Sequence, residues 1–295
     1  MIDFSIIIPH HNIPSLLQRC LDSIPERDDL EVIIVDDNSS TSKVDFKTFP
    51  GLNKRGITCI FDKEGGGAGY ARNLGLDAAV GKWIMFADAD DFYNTNVLNA
   101  LFDKYKKSDF DIVYFNALSI YDNGEKCKIQ CRINQYFQAI RRKKKWGFEG
   151  LRYNTWEPWT KMVKKSYIDK YHLRFQEIFR RNDLLFGVKA NVYTTNFAIY
   201  DEIVYYYVQR TNSIVHTKQT EQQFKELVDI RFTVDKLYAE QGIKRQFCVL
   251  HLLYLAYKQN GIAEVWGLYK KIKQKHINLF KGLKYYIQDS CRVKK

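Results

Sequence analysis

Trp83-Ile84-Met85-Phe86-Ala87-Asp88-Ala89-Asp90-Asp91 is an apolar run of five residues that passes directly into an acidic turn. No polar residue alternates with the apolar ones, so the run reads as a strand buried on both faces, as in a parallel sheet covered by helices. Ligands of such sheets bind beyond the carboxyl ends of the strands, where this segment becomes acidic. In extended backbone, residues i and i+2 point to one side, so Asp88 and Asp90 project together past the strand end. Carboxylates that close repel unless a cation lies between them. Mg2+ or Mn2+ suits such oxygen ligands and shares its remaining positions with a diphosphate. The competing structural reading is a polar turn that caps the helix predicted over 94–105.

The flanking sequence supplies the rest of the sheet. Phe4–Ile8, Glu31–Val35 and Gly56–Phe61 read as three further strands, with helices over 15–24 and 71–80. This alternation argues for a mainly parallel α/β sheet flanked by helices. Asp36-Asp37 follows the second strand, so a second acidic turn falls on the same sheet edge; acid in such a place often meets ribose hydroxyls or a base N–H. Gly65-Gly66-Gly67-Ala68-Gly69 reads as a loop before a helix whose N-terminus favours anions, with Arg72 able to pair with phosphate. A flexible turn explains the glycines equally well, and their letters fit no standard phosphate-loop pattern. Further on, strands are predicted over 112–117 and 197–208, a hairpin around 126–133, a basic loop or helix face at 141–145, and helices from about 221 to the end.

Composition narrows the class. With 45% hydrophobic and 27% charged residues, the chain has the makings of a folded protein of one or two domains. Residues 1–110 hold 12 Lys/Arg against 17 Asp/Glu, and the remainder holds 34 against 17. A nucleic-acid binder would not place its acidic half at its most distinctive motifs, and the basic half contains no nucleic-acid module. The six cysteines form no CxxC pair, which argues against zinc and for a reducing, cytoplasmic setting.

Four blocks in order, Ser5-Ile6-Ile7-Ile8-Pro9-His10-His11-Asn12, Ile33-Ile34-Val35-Asp36-Asp37-Asn38-Ser39, Ala71-Arg72-Asn73-Leu74-Gly75 and Phe86-Ala87-Asp88-Ala89-Asp90-Asp91, resemble the signature of family 2 glycosyltransferases, above all bacterial members that build surface polysaccharides. The likeness is close over 1–110 and looser to about 216. It implies a GT-A fold and the inverting transfer of a sugar from a nucleoside-diphosphate sugar, with uridine the expected base, to a saccharide or lipid-linked acceptor. It also implies a nucleotide-sugar-binding half at 1–110, an acceptor-binding half at 111–216 and a basic helical region at 217–295.

Position by position, the resemblance implies that Pro9 flanks the base, and that His11, where the family usually has Tyr, stacks on it. Asp37 and Asp36 would contact base or ribose, Arg72 the donor sugar or diphosphate, and Asp88 and Asp90 would form the metal-binding DxD. Trp156-Glu157-Pro158-Trp159-Thr160-Lys161 is similar to the segment before the acceptor site, which makes Trp156, Trp159 and Lys161 acceptor candidates. Asn182-Asp183 resembles the family's Glu-Asp pair, with Asn in place of Glu, and Asn182 is a fourth acceptor candidate. Asp183 is then the general base, Glu177 the reserve, and Arg180 and Arg181 would help keep Asp183 ionised. His216, after Arg210-Thr211-Asn212-Ser213, is a candidate third metal ligand or phosphate contact.

From Ile262 the apolar residues recur at 262, 265, 266, 269, 272, 279, 280, 283, 286 and 287, with lysines mostly between them. This amphipathic basic pattern suits either the inner, anionic surface of a cell membrane or packing on the protein's own core. Two other functions compete: a sugar nucleotidyltransferase, which would release pyrophosphate, and a non-catalytic sugar-nucleotide-binding or membrane scaffold subunit, which would bind donor without turnover.

Overall fold

The first apolar run forms β1 (Phe4–His10), which lies between two parallel neighbours, β2 (Leu30–Asp37) and β4 (Trp83–Phe86). Beyond β2, β3 (Ile57–Asp62) continues the parallel pairing. β1 does not stop at Pro9. β4 pairs only as far as Ile7, so Pro9 has a partner on one side alone, a place where a missing N–H is tolerated. The computed structural model describes residues 1–210 and 219–293, with side chains to 288.

The connections over this half are α1 (Pro14–Asp22) and α2 (Gly67–Ala78); α3 (Thr95–Tyr105) follows β5 (Phe92–Tyr93). Its N-cap is Asn94, whose side chain accepts from the Val97 amide, so the acidic turn is not the cap of this helix. Contrary to expectation, the glycine-rich segment is not all loop: the helix begins at Gly67. Gly69 and Gly75 lie inside it because α2 packs too tightly for side chains there. A Cβ on Gly75 would meet Ile7 Cγ2 at 2.3 Å.

The second half comprises β6 (Ile112–Tyr121), α4 (Arg132–Arg141), α5 (Lys145–Asn154), β7 (Lys161–Lys164), α6 (Lys165–Lys170), α7 (Leu184–Tyr193) and β8 (Phe197–Gln209). The sheet order is β3-β2-β1-β4-β7-β6-β8-β5. β7 runs antiparallel between β4 and β6, β8 runs parallel to β6, and β5 folds antiparallel onto β8. The parts expected at 1–110 and 111–216 therefore share one sheet and one core, within a unit spanning Met1–Ser213. In place of the hairpin expected near 126–133 there is a turn, a single antiparallel bridge from Ile120 to Lys126, and then α4.

The second unit, Ile214–Lys295, is helical where described: α8 (Glu221–Glu240), α9 (Val249–Gln274) and α10 (Leu283–Val293). Its small core joins Phe224, Leu227 and Val228 to Val249, Leu252, Ala256, Leu268 and Ile272. α9 breaks at Asn260 and Gly261, the latter with φ of 69°. After the break the apolar residues divide. Leu268 and Ile272 are buried, whereas Ile262 (78% exposed) and Trp266 (57%) face outward, as do Tyr254 and Tyr257 before it.

Candidate active site

The acidic turn after β4 is fixed by its third carboxylate. Asp91 is 1% exposed; it accepts the Tyr205 hydroxyl at 2.9 Å and the Val208 amide at 2.7 Å, so it anchors the turn to β8. The same Tyr205 hydroxyl accepts from the Asp88 amide at 2.9 Å, and Arg19 Nη2 donates to the Asp90 carbonyl at 2.6 Å. With the backbone held, Asp88 and Asp90 present carboxylates that are only partly buried. Oxygens of Asp88, Asp90 and Asp91 lie within 4.8 Å of one another. Each of the first two gives one oxygen to a guanidinium: Asp88 Oδ1 to Arg72 Nη2 at 2.6 Å, and Asp90 Oδ2 to Arg210 Nη2. Burial, then the charge of Asp88, raises the Asp90 carboxyl above the ordinary value, with Arg210 opposing. Since Asp91 is spent on structure, Asp88 and Asp90 are the residues fit to hold a hard cation, by the chemistry and spacing of their oxygens.

At the ends of β1 and β2 lies a cavity of about 470 Å³ lined by His11, Asp37, Asn38, Glu64, Gly65, Gly66, Gly67 and Phe179. His11 Nδ1 bonds the Asp37 carbonyl at 2.7 Å and its Nε2 lies 2.6 Å from Asn12 Nδ2, an arrangement satisfied by a proton on Nδ1. The ring is thereby locked in place at the cavity wall. Asp37 accepts the Gly67 amide at 3.0 Å, at the N-terminus of α2; burial nonetheless raises its carboxyl above the ordinary value.

Asp36 does not face this cavity. It is 1% exposed, and its oxygens take His10 Nδ1 at 2.7 Å and the Ser39 amide at 3.0 Å. Burial works against its ionisation, but those bonds overcome it and hold the carboxyl below its usual value. The expected donor contact at Asp36 is thus a support for the turn, which Asn38 completes in the left-handed region (φ 55°). Pro9 lies within β1 and is not among the lining residues.

Arg72 links the acidic turn to the segment that leads into α7. It is buried, donates Nη2 to Asp88 and Nη1 to Asn182 Oδ1 at 2.8 Å, and lies over the Phe175 ring. Asn182 therefore keeps an acceptor where the family pattern has a carboxylate. Asp183 occupies the N-cap position of α7, yet its side chain makes no capping bond. Its carboxyl is pushed up to about 6, first by burial and further by Glu157 and Asp88, with Arg72 opposing. The expected help from Arg180 and Arg181 is not what dominates; Arg72 is the main opposing charge. Glu177 accepts from Asn73 Nδ2 at 3.1 Å.

Two acceptor candidates are core residues instead. Trp159 is stacked on Tyr205 and Tyr207, with ring centroids at 5.1 and 5.4 Å, and it is nearly buried. Lys161 is 0% exposed; its Nζ donates to the Thr155 carbonyl at 2.8 Å and to Asn191 Oδ1 at 3.2 Å. Neither side chain is open to an acceptor. Trp156 is half-buried under the Arg132 guanidinium, 3.8 Å from its ring centroid. His216 lies outside the described residues. Sequence reasoning missed Phe179 and Glu157. Glu157 pairs with Arg132 and has Oε2 buried without a hydrogen bond. Its place in the Trp156–Lys161 block was the available signal.

The chain is 22% identical over 238 residues to glycosyltransferase GlyG of Streptococcus pneumoniae, covering 77% of each protein. It is 24% identical over 242 residues to the poly(ribitol-phosphate) beta-N-acetylglucosaminyltransferase TarP of Staphylococcus aureus, covering 75% of this chain and 68% of TarP. Among solved structures, S. aureus TarS 1-349 in complex with UDP-GlcNAc superposes with a TM-score of 0.59 at 20% identity, covering 81% of this chain and 66% of that one; the likeness shows the shared fold. The family model "Glycosyl transferase family 2" matches residues 5–172, and the chain belongs to that family.

Proposed function

We propose that the chain transfers a sugar, with inversion, from a nucleoside-diphosphate sugar to a saccharide or lipid-linked acceptor in the synthesis of a bacterial surface polysaccharide. The observation that carries this reading is the Arg72 bridge, which brings the Asp88 turn and the Asn182-Asp183 pair to one place. The names of the relatives support the pathway, and the UDP-GlcNAc complex of TarS supports a uridine donor.

The base and ribose occupy the cavity lined by His11, Asp37 and the glycines, and the diphosphate extends toward Asp88. A divalent cation, Mg2+ or Mn2+, held by Asp88 and Asp90 would offset charge on the leaving diphosphate. Arg72, fixed by two bonds, points a permanent positive charge at the same region, so that stabilisation is preorganised. Asp183 accepts the proton of the acceptor hydroxyl as its oxygen bonds to the anomeric carbon. The bond from that carbon to the phosphate oxygen breaks, and its electron pair leaves with the nucleoside diphosphate. A base with a value near 6 is mostly ionised at neutral pH and remains basic enough to take the proton.

A screen of nucleotide sugars for release of nucleoside diphosphate tests the reading. Release by wild type in Mg2+ or Mn2+, lost in EDTA and in Asp90→Ala, is the expected result. Release of pyrophosphate, or donor binding without release, would replace the reading with one of its competitors; release undiminished in EDTA would remove the metal from it.

A peripheral membrane surface is also proposed for the helical unit. Ile262, Trp266, Tyr254 and Tyr257 stand exposed beside Lys258 and Lys270, an arrangement suited to anionic headgroups. The described helices include none long and apolar enough to cross a membrane. Pelleting with phosphatidylglycerol vesicles should be lost in Ile262→Ser/Trp266→Ser; unchanged pelleting would refute the surface.

A further inference from the structure

The connection between α6 and α7 is fastened to α2 along its length. Asn73 holds Phe175 by both backbone groups, donating to its carbonyl at 3.1 Å and accepting its amide at 2.9 Å. Arg72 holds Asn182, and the Gln176 amide closes the loop on the Asn182 carbonyl at 3.0 Å. The two segments touch where no side chain intervenes: a Cβ on Gly69 would lie 2.1 Å from the Gln176 carbonyl oxygen and 2.8 Å from Asn182 Cβ.

Between those fixings the chain bulges outward through Phe179, with Arg181 at φ 58°. Phe179 is 60% exposed, although its loop is anchored at both ends, and its ring lines the same cavity as His11 and Asp37. Among the exposed rings, Phe179 stands at a cavity wall on an anchored loop, a place from which an aromatic face can stack on a flat ligand.

We propose that Phe179 is an aromatic wall for the nucleobase of the donor, presented by the loop that leads directly into Asp183. Resting on the donor reading above, this makes Phe179 a specificity-determining residue and joins base recognition to the acceptor side through one short segment. Base–aromatic stacking contributes about 5- to 100-fold in affinity.

The test is calorimetric binding of UDP and of inorganic pyrophosphate, each with Mn2+, to wild type, Phe179→Ala and Phe179→Tyr. Phe179→Ala should weaken UDP by about 5- to 100-fold while pyrophosphate is unchanged, and Phe179→Tyr should bind UDP as wild type does. UDP affinity unaltered in Phe179→Ala overturns the inference, as does a parallel loss of pyrophosphate or a Tyr variant as weak as the Ala one. A wild type that binds none of UDP, CDP, GDP or ADP removes the donor reading itself and this inference with it.

Discussion

Asp183→Asn should inactivate the enzyme and stabilise the fold at once. The carboxyl stands at about 6 instead of 3.8, chiefly because burial penalises its charge. That displacement corresponds to roughly 3 kcal/mol against the ionised form, and partial access to solvent reduces the usable figure to about 1–2 kcal/mol. Asparagine keeps the shape and removes the charge. For a unit of this size the melting temperature at pH 8 should rise by roughly 2–8 °C. The sign follows from linkage. A carboxyl raised in the folded state destabilises once ionised, so the gain of the variant is full above pH 6 and vanishes below pH 4. Turnover, read as nucleoside diphosphate released from whichever donor the wild type uses, should fall by about 10²- to 10⁴-fold. Wild-type turnover should show an acid limb centred near pH 6. An Asn variant that melts lower than wild type at pH 8, or keeps a tenth of its turnover, would falsify the reasoning, because Asp183 would then be a structural residue.

Other perturbations probe the supports. Gly69→Ala drives a methyl group into the Gln176 carbonyl and should cost about 1–3 kcal/mol, with turnover lost in parallel; a melting curve like that of wild type would contradict the close approach. Burial lowers Lys161 to about 7, so its charged form is disfavoured in the fold, and wild-type stability from this group falls as pH drops from 10.5 toward 7. Thr155 O and Asn191 Oδ1 retain bonds from Asn191 Nδ2 and Tyr114 without it. Lys161→Met should therefore gain on wild type as pH falls, by roughly 3 kcal/mol at pH 6 relative to pH 10; a pH-independent difference would refute this.

The parallel half of the sheet was legible because its strands are buried on both faces and show as nearly continuous apolar runs, as in Trp83–Ala87 and in Phe4–Ile8, where Ser5 is the one polar residue. The end of β1 was not, since whether Pro9 is tolerated depends on where β4 stops pairing. The glycine-rich start of α2 was misread for a related reason. Glycine disfavours a helix locally, but here contacts with Gln176 and Ile7 demand it. In the site, Asp88 and Asp90 could be paired by strand geometry alone. Residue type could not distinguish Asp37, which lines the cavity, from Asp36, which braces the turn. Nor could it separate Lys161 and Trp159, enclosed by Asn191 and Tyr205, from side chains awaiting an acceptor. Phe179 offered one sign: a lone aromatic ring beside two arginines, four residues before the proposed base.

The segment from Phe175 to Asn182 is fastened to α2 at both ends and arches between them. Its ends are set by Asn73 and Arg72, so substitutions at its crest, at Phe179, should leave the sheet undisturbed. Exchange of this piece between relatives should carry nucleotide preference with it, provided position 182 still offers Arg72 an oxygen. On the donor reading, a change of nucleotide preference would then require trading eight residues on one sheet instead of rebuilding the pocket.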